Sequence, residues 1–236
     1  GNVVIPEEIE GVAVRSIGVN TFYNCTPLTS IILPDTLTSI QMSAFDGCTN
    51  LASVTLGSGL RTIRSYAFAD CSGLTNLELP DTVTQIEAGA FLQCTSLTSI
   101  TLPGSLTSLG SGAFSRCDKL TSADLSASQL TCIETNAFDR CGNLASVTLP
   151  TGLTGIGDSA FSGCSALTSI TLPDNLTSIG AYAFSGCAIT ELTLPAGLTT
   201  LGEGAFSECE SLTCADLSAS QLTGIETYTF SGCHGL

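Results

Sequence analysis

The residues with the greatest chemical potential in this 236-residue sequence are its twelve cysteines. Thiols form disulfides, bind metal ions and act as nucleophiles. Ten of the cysteines follow a phenylalanine by three residues in a recurring phrase: Cys25, Cys48, Cys71, Cys94, Cys117, Cys141, Cys164, Cys187, Cys209 and Cys233. This regular spacing indicates that they belong to a repeating structural unit.

These ten cysteines are predicted to be reduced and buried. Stacked repeats would place equivalent Cα and Cβ atoms about 4.8 Å apart, whereas a disulfide needs Cβ atoms within about 3.5–4.5 Å. Reduced cysteine packs as a small apolar residue. The sequence has no C-x-x-C motif and a single histidine, His234, which disfavours a metal site. We therefore expect a row of buried thiols, with no metal and no cofactor.

Two cysteines lie outside this row. Cys214 replaces a serine on the outward side of one predicted strand, and Cys132 replaces an outward serine of the other. We predict that both are exposed thiols, open to oxidation or crosslinking. They should not pair with each other, because they lie on different faces. The alternative is a replacement of serine that has no chemical role.

The other polar residues do not form a catalytic constellation. The only histidine lies at the C-terminal end, and the Gly-Ser-Gly sequences at 57–59 and 110–112 lack the lysine of a phosphate-binding loop. Acidic pairs such as Glu191 and Asp216 occur on any acidic surface. We therefore expect that the protein is not an enzyme.

The charge of the chain limits its partners. Six basic residues stand against 21 acidic ones, for a net charge of −15. Nucleic acids and anionic membranes attract basic surfaces, so neither is an expected partner. No apolar run approaches the ~20 residues that cross a bilayer, so no direct membrane insertion is expected. The acidity suits basic protein partners, or it serves only to keep the protein in solution.

The phenylalanines define the repeat that positions all of these residues. Every unit contains one, at spacings of 22 to 24 residues: Phe22, Phe45, Phe68, Phe91, Phe114, Phe138, Phe161, Phe184, Phe206 and Phe230. A fixed period of this length is typical of a solenoid. One unit cannot bury its own apolar side, so stacked units must share a core. We predict one domain of about ten repeats over residues 1–236.

The best-formed unit, residues 160–182, reads AFSGCSALTSITLPDNLTSIGAY. Alternation from Leu167 to Leu172 predicts a strand with one buried face, and Pro173 ends it. Leu176 to Ile179 predicts a second short extended segment. The phrase L-x-x-I-x-L-P…L-x-x-I-G-x-x-A-F-x-x-C resembles the BspA-like class of leucine-rich repeats over essentially the whole chain. The resemblance implies a right-handed leucine-rich repeat solenoid of repeats of ~23 residues, with short parallel β-strands, turns and little helix. Without evident capping units, the chain is expected to be a fragment of a longer protein.

Two units depart from the pattern in the same way. Residues 122–134 read SADLSASQLTCIE and residues 214–226 read CADLSASQLTGIE. Both lack the strand-ending proline, gain one residue and carry alanine in the core, which predicts a local bulge. They are 92 residues apart, so a duplication of four repeats is the favoured origin. An acidic, calcium-attracting notch at each aspartate is disfavoured, because one carboxylate is a poor calcium site.

The outward side of the main strands is the candidate binding ridge. It carries mostly serine and threonine, with the most distinctive positions at Asn76, Glu78, Asp124, Glu191, Thr193 and Asp216. It lacks the Trp, Tyr and Arg anchors of typical hot spots, which predicts weak or multivalent binding. Threonine also simply suits an exposed strand.

The resemblance implies a secreted or cell-surface protein of a host-associated microbe, in a family associated with adhesion to matrix proteins and cells. The leading hypothesis is therefore a non-enzymatic protein-interaction module, extracellular or on the cell surface, that binds host matrix or cell-surface proteins. One alternative is a passive stalk that presents other domains. Another is an intracellular scaffold, which would suit ten reduced cysteines.

Overall fold

Two rows of short strands form a solenoid in the computed structural model, which describes residues 1–236 and contains no helix. The first row, here called the main sheet, comprises Asn2–Val4, Ser30–Ile32, Ser53–Thr55, Ser99–Thr101, Ser122–Asp124, Ser146–Thr148, Glu191–Thr193 and Cys214–Asp216. The second sheet comprises Ser16–Ile17, Ser39–Ile40, Thr62–Ile63, Gln85–Ile86, Ser108–Leu109, Cys132–Ile133, Gly155–Ile156, Ser178–Ile179 and Thr200–Leu201. A short antiparallel pair, Glu8–Ile9 with Val12–Ala13, lies near the N terminus. The predicted solenoid of short strands is confirmed.

Strands of both rows pair in parallel with the equivalent residues of the next repeat. In the main sheet Ile31 lies opposite Val54, and Ile100 lies opposite Ala123. The central residue of each main strand faces the core, and Ile31 and Ile100 are at most 2% exposed. The flanking residues face outward, as the period-two alternation predicts. The inward and outward assignment of the main strand is confirmed.

The phenylalanines form a continuous stack through the core. Neighbouring ring centroids lie 5.0–6.0 Å apart, with interplanar angles of 1–11°. Eight of the ten rings are fully buried, and the exceptions are the terminal Phe22 and Phe230. Each buried aromatic ring removes a large apolar area from water, so this stack is a principal source of the stability of the fold.

The cysteine row lies beside the phenylalanine stack, and its thiols are unpaired. Each thiol from Cys48 onward donates to the phenylalanine carbonyl of the preceding repeat; the Sγ of Cys71, for example, lies 3.1 Å from the Phe45 oxygen. Burial raises the pKa of Cys48 to about 11 and that of Cys209 to about 12, so these thiols stay protonated at neutral pH. Eight of the ten thiols are buried, and the terminal Cys25 and Cys233 are partly so. The predicted burial of this row is confirmed for the eight inner cysteines.

Left-handed backbone conformations bend the chain two residues before and two residues after every phenylalanine. Around Phe68 they are Tyr66 (φ 58°) and Asp70 (φ 54°). The position of Tyr66 is occupied in the next repeat by Gly89 (φ 61°), where a Cβ atom would lie 2.5 Å from Cε1 of Tyr66. Tyr66 shows that this backbone conformation also accepts a residue other than glycine, so the tyrosine ring over the turn is what favours a glycine at position 89.

The main sheet is divided into three parts. Its strands pair within residues 2–55, within 99–148 and within 191–216. The intervening segments, Asn76–Glu78 and Ser169–Thr171, are extended in sequence pattern but belong to no sheet. The continuous main sheet implied by the repeat pattern is therefore wrong at two places, which lie 93 residues apart.

The two units without proline keep their main strands in register. Ser122–Asp124 pairs residue for residue with the strands on both sides, so the expected bulge does not interrupt this strand. The extra residue lies in the following turn. The pairing is interrupted in the second sheet instead, where Ser108–Leu109 and Cys132–Ile133 belong to separate sheets.

Candidate functional site

The outward face of the main sheet brings the predicted ridge residues onto one side of the solenoid. All six of them are exposed: Asn76, Glu78, Asp124, Glu191, Thr193 and Asp216. Glu191 lies opposite Cys214, and Thr193 lies opposite Asp216, in the last two paired strands. Asn76 and Glu78 lie in the first unpaired segment. The first and third residues of the main strands and of the two unpaired segments form this face. They include carboxylates but no lysine or arginine.

Asp124 and Asp216 use their carboxylates to end the strands that lack proline. Oδ1 of Asp124 accepts hydrogen bonds from the Ser126 hydroxyl (2.7 Å) and amide (3.0 Å). Asp216 makes the same contacts with Ser218, at 2.6 and 2.9 Å. The serine hydroxyl and then the serine amide lower the pKa of both aspartates. These two ridge residues therefore have a structural role in an aspartate-initiated turn.

The fold gathers no group of three or more histidine, cysteine, aspartate or glutamate side chains that would hold a metal ion. Each aspartate of the two units without proline stands with its own serine, as described above. The oxygen-rich shell of six to eight ligands that calcium takes is not assembled at either position.

The two cysteines outside the row differ in accessibility. Cys214 is exposed on the main sheet, as predicted. Cys132 is only partly exposed, which departs from the expectation for this residue. Its Sγ lies over Gly155, 3.4 Å from where a Cβ atom on that glycine would stand, and burial raises its pKa. Gly155 in the neighbouring repeat has no side chain, and the space that this leaves shelters the Cys132 thiol.

Two openings in the main sheet are the most distinctive feature of this face. At paired junctions, the leucine that follows the strand donates its amide to the next repeat: Leu33 to Thr55 at 2.9 Å and Leu102 to Asp124 at 2.8 Å, for example. The amides of the equivalent leucines beside the unpaired segments donate to no backbone carbonyl; these are Leu56, Leu79, Leu149 and Leu172. Asn76–Glu78 and Ser169–Thr171 also have no backbone hydrogen bonds of their own.

The openings expose part of the core. Leu33 and Leu102, at paired junctions, are 3% and 0% exposed. The residues that are only partly buried in the middle of the solenoid flank the unpaired segments or lie within them: Val54, Leu56, Leu79, Val147, Ile170 and Leu172. The loss of hydrogen bonds and the loss of burial therefore coincide at both openings.

Grooves lie on both sides of Asn76–Glu78. One has a volume of about 300 Å³ and separates this segment from Ser53–Thr55. The other, of about 370 Å³, separates it from Ser99–Thr101 and includes Asp81. Neither groove is lined by a lysine or arginine, whereas Glu78 borders both. The first opening is thus an acidic groove with unpaired backbone groups and partly exposed apolar side chains.

Sequence reasoning missed these openings, although a signal was present. The strand before each opening reads Ala-Ser-Val-Thr-Leu, at residues 52–56 and 145–149. Elsewhere the first of these positions is threonine, and Thr121 donates its hydroxyl to the Thr98 carbonyl at 3.0 Å. Ala52 and Val54 are smaller than Thr29 and Ile31, the equivalent residues of the strand before, which is paired on both sides. The sequence Ala-Ser-Val-Thr-Leu thus precedes both openings, whereas the smaller core residues Ala123 and Ala215 lie in strands that stay paired.

Comparison with known families identifies the repeat. The model of the BspA type leucine rich repeat region matches residues 15–141 and 131–236, in six copies. The chain belongs to the BspA-type leucine-rich repeat family. This match confirms the resemblance that the repeated phrase indicated.

Solved structures of bacterial leucine-rich repeat proteins share the BspA-type fold. One from Bacteroides ovatus is 27% identical with a TM-score of 0.89, and the alignment covers 100% of this chain and 62% of that one. The leucine-rich repeat protein of T. pallidum is 36% identical with a TM-score of 0.67, covering 70% of this chain and 77% of that one. A leucine-rich cell-surface protein from Faecalibacterium prausnitzii is 28% identical with a TM-score of 0.62, covering 100% and 74% respectively.

This BspA-type chain thus spans less than two thirds of the length of the Bacteroides ovatus protein. No protein with a curated description matches the chain. The fold includes no helix with the length and apolar character that a membrane crossing requires. The family indicates a protein-interaction module, and members of the leucine-rich repeat class are generally not enzymes.

Proposed function

We propose that this domain is an adhesive module of a cell-surface or secreted protein, and that its main sheet binds host matrix or cell-surface proteins. The observation that carries this proposal is the outward face of the main sheet, which is exposed, carries carboxylates and has no basic residue. Such a face attracts basic patches of partner proteins by long-range electrostatics. The cell-surface relative from Faecalibacterium prausnitzii supports this location.

The binding is proposed to be weak for each contact and multivalent overall. The ridge offers serine, threonine and carboxylate side chains without the large aromatic anchors of tight interfaces. A repeating face presents many equivalent contacts, so several weak contacts acting together raise the overall affinity.

The test is binding of the 236-residue chain to a panel of immobilised extracellular-matrix proteins over a series of salt concentrations. We expect binding that weakens as salt rises, because the contacts are between exposed charges. Glu78→Gln with Glu191→Gln should weaken it, whereas Glu10→Gln with Glu210→Gln, at exposed sites away from the main sheet, should not. No binding, or binding that is insensitive to salt and to the first pair, overturns the proposal.

A passive stalk is the second candidate, and the absence of aromatic anchors on the ridge favours it. In that case the isolated domain binds nothing, while a longer protein containing it still adheres. An intracellular scaffold has weaker support, because the eight fully buried thiols of the row are shielded from oxidants wherever the protein resides.

A further inference from the structure

We infer that the opening at Asn76–Glu78 binds an extended, basic segment of a partner protein, which pairs its backbone with the free edges of the opening. This inference rests on the proposed protein-binding role of the main sheet and specifies where and how the partner is held. It follows from three observations at the same place: unpaired backbone groups, partly exposed apolar side chains and uncompensated negative charge.

The unpaired backbone supplies the hydrogen bonds. The amides of Leu56 and Leu79 face gaps where every well-paired junction has a carbonyl acceptor. The segment Asn76–Glu78 has no backbone partners on either side. An exposed strand edge is a template on which an extended peptide adds as a further strand. An extended segment rises about 3.3 Å per residue, so a partner segment of about five residues would run alongside residues 75–79.

The side chains around the opening supply the specificity. Val54, Leu56 and Leu79 are partly exposed there, and they provide apolar contacts for alternate side chains of an added strand. Glu78 borders both grooves and Asp81 borders one, with no basic residue in either lining. The occupant with complementary charge is therefore an extended segment that alternates lysine or arginine with small apolar residues.

The second opening is an internal control. The amides of Leu149 and Leu172 are unpaired there as well, and Pro173-Asp174 matches Pro80-Asp81. However, Ser169 and Thr171 stand where the first opening has Asn76 and Glu78. The two openings thus share their backbone character and differ in a single outward charge, so a basic segment should prefer the first.

The test uses a blocked peptide, acetyl-Thr-Lys-Val-Lys-Val-Lys-Thr-amide, titrated into the 236-residue chain while backbone amide resonances are recorded by NMR. We expect the largest shifts at residues 52–56, 75–81 and 98–102. A peptide methylated on alternate backbone nitrogens should bind about fivefold or more weakly, because it loses hydrogen bonds. The Asn76→Ser/Glu78→Thr variant, which copies the second opening, should bind about threefold more weakly.

Shifts confined to other surfaces, or equal binding by the methylated peptide, overturn this inference. A peptide with glutamate in place of lysine that binds equally well overturns the charge assignment. Binding of the chain to immobilised matrix proteins is measured in a separate experiment. Binding to matrix proteins without peptide binding at the opening leaves the proposed function standing and removes this inference. Peptide binding at the opening without binding to any matrix protein leaves this inference standing and removes the proposed binding to matrix proteins.

Discussion

The two sides of this solenoid respond differently to variation between repeats. On the phenylalanine side the ring stack continues through all ten repeats, and every phenylalanine amide from Phe22 to Phe206 donates to the next repeat at 2.8–3.0 Å. On the main-sheet side the same number of repeats includes two openings. Each junction between repeats on the phenylalanine side has ring stacking, a hydrogen bond from a thiol and a hydrogen bond from a backbone amide. The main sheet relies on its ladder and one central side chain, so fewer contacts hold its strands together at each junction.

The largest expected effect is a loss of folding stability at alkaline pH, which is caused by ionisation of the buried thiols beside the phenylalanine stack. Burial raises the pKa of the row thiols, to about 11 for Cys48 and about 12 for Cys209. A raised pKa means that the unfolded state releases protons first, so stability is constant below the ordinary thiol pKa of about 8.5 and falls above it. Each such thiol removes about 1.4 kcal/mol per pH unit in that range.

Denaturant unfolding between pH 7 and pH 11 measures this effect. The matched control replaces the exposed Cys214 by serine, which should leave the pH profile unchanged because that thiol is outside the buried row. A free energy of unfolding that stays level up to pH 11 would contradict the assignment of protonated, buried thiols.

The next largest effect should come from a break in the ring stack. Phe114→Ala removes a fully buried ring with stacked neighbours on both sides, and we expect a loss of about 3–5 kcal/mol. Phe22→Ala, at the partly buried end of the stack with one stacked neighbour, should cost clearly less. Urea titrations of both variants provide the comparison, and equal losses would show that the stack does not act as a continuous unit.

How far the sequence predicted these two sides depended on whether a feature repeats. The stack, the thiol row and the outward ridge follow from residues that recur in nearly every unit, so they were predictable. The openings are breaks in backbone pairing at Asn76–Glu78 and Ser169–Thr171, and a pattern of apolar and polar positions does not register such breaks. The shelter of Cys132 depends on Gly155, a residue of another repeat.

Asp124 illustrates an intermediate case. The sequence correctly placed it on the exposed ridge, but its carboxylate is bound to Ser126 within the same chain. The spacing of aspartate and serine two residues apart is a known turn signature, and it would have identified this role in place of the missing proline.

A smaller effect is therefore expected from Asp124→Ala, which removes the turn that ends a main strand. We expect a loss of about 1 kcal/mol at neutral pH. The bonds to Ser126 lower the pKa of Asp124, so this contribution is fully present above the ordinary aspartate pKa and is lost as the pH falls through the lowered pKa of the folded state. Thermal unfolding at pH 7 and pH 2 should show a larger difference from wild type at pH 7. Glu191→Ala, which removes an exposed carboxylate without such bonds, should stay within about 0.5 kcal/mol at both pH values.

The smallest effect, and the most direct test of why the two sides differ, is the closure of an opening. Ala52→Thr with Val54→Ile restores the side chains that Thr29 and Ile31 provide in a strand that is paired on both sides. If reduced volume separates the strands, the variant should gain about 0.5–1.5 kcal/mol. Hydrogen exchange reports the same change locally. In the wild type the unpaired amides of Leu56 and Leu79 should exchange much faster than those of Leu33 and Leu102. In the variant the Leu56 amide should become protected while Leu149, at the unaltered second opening, stays fast. A Leu56 amide that stays fast in the variant would show that these two side chains do not cause the opening.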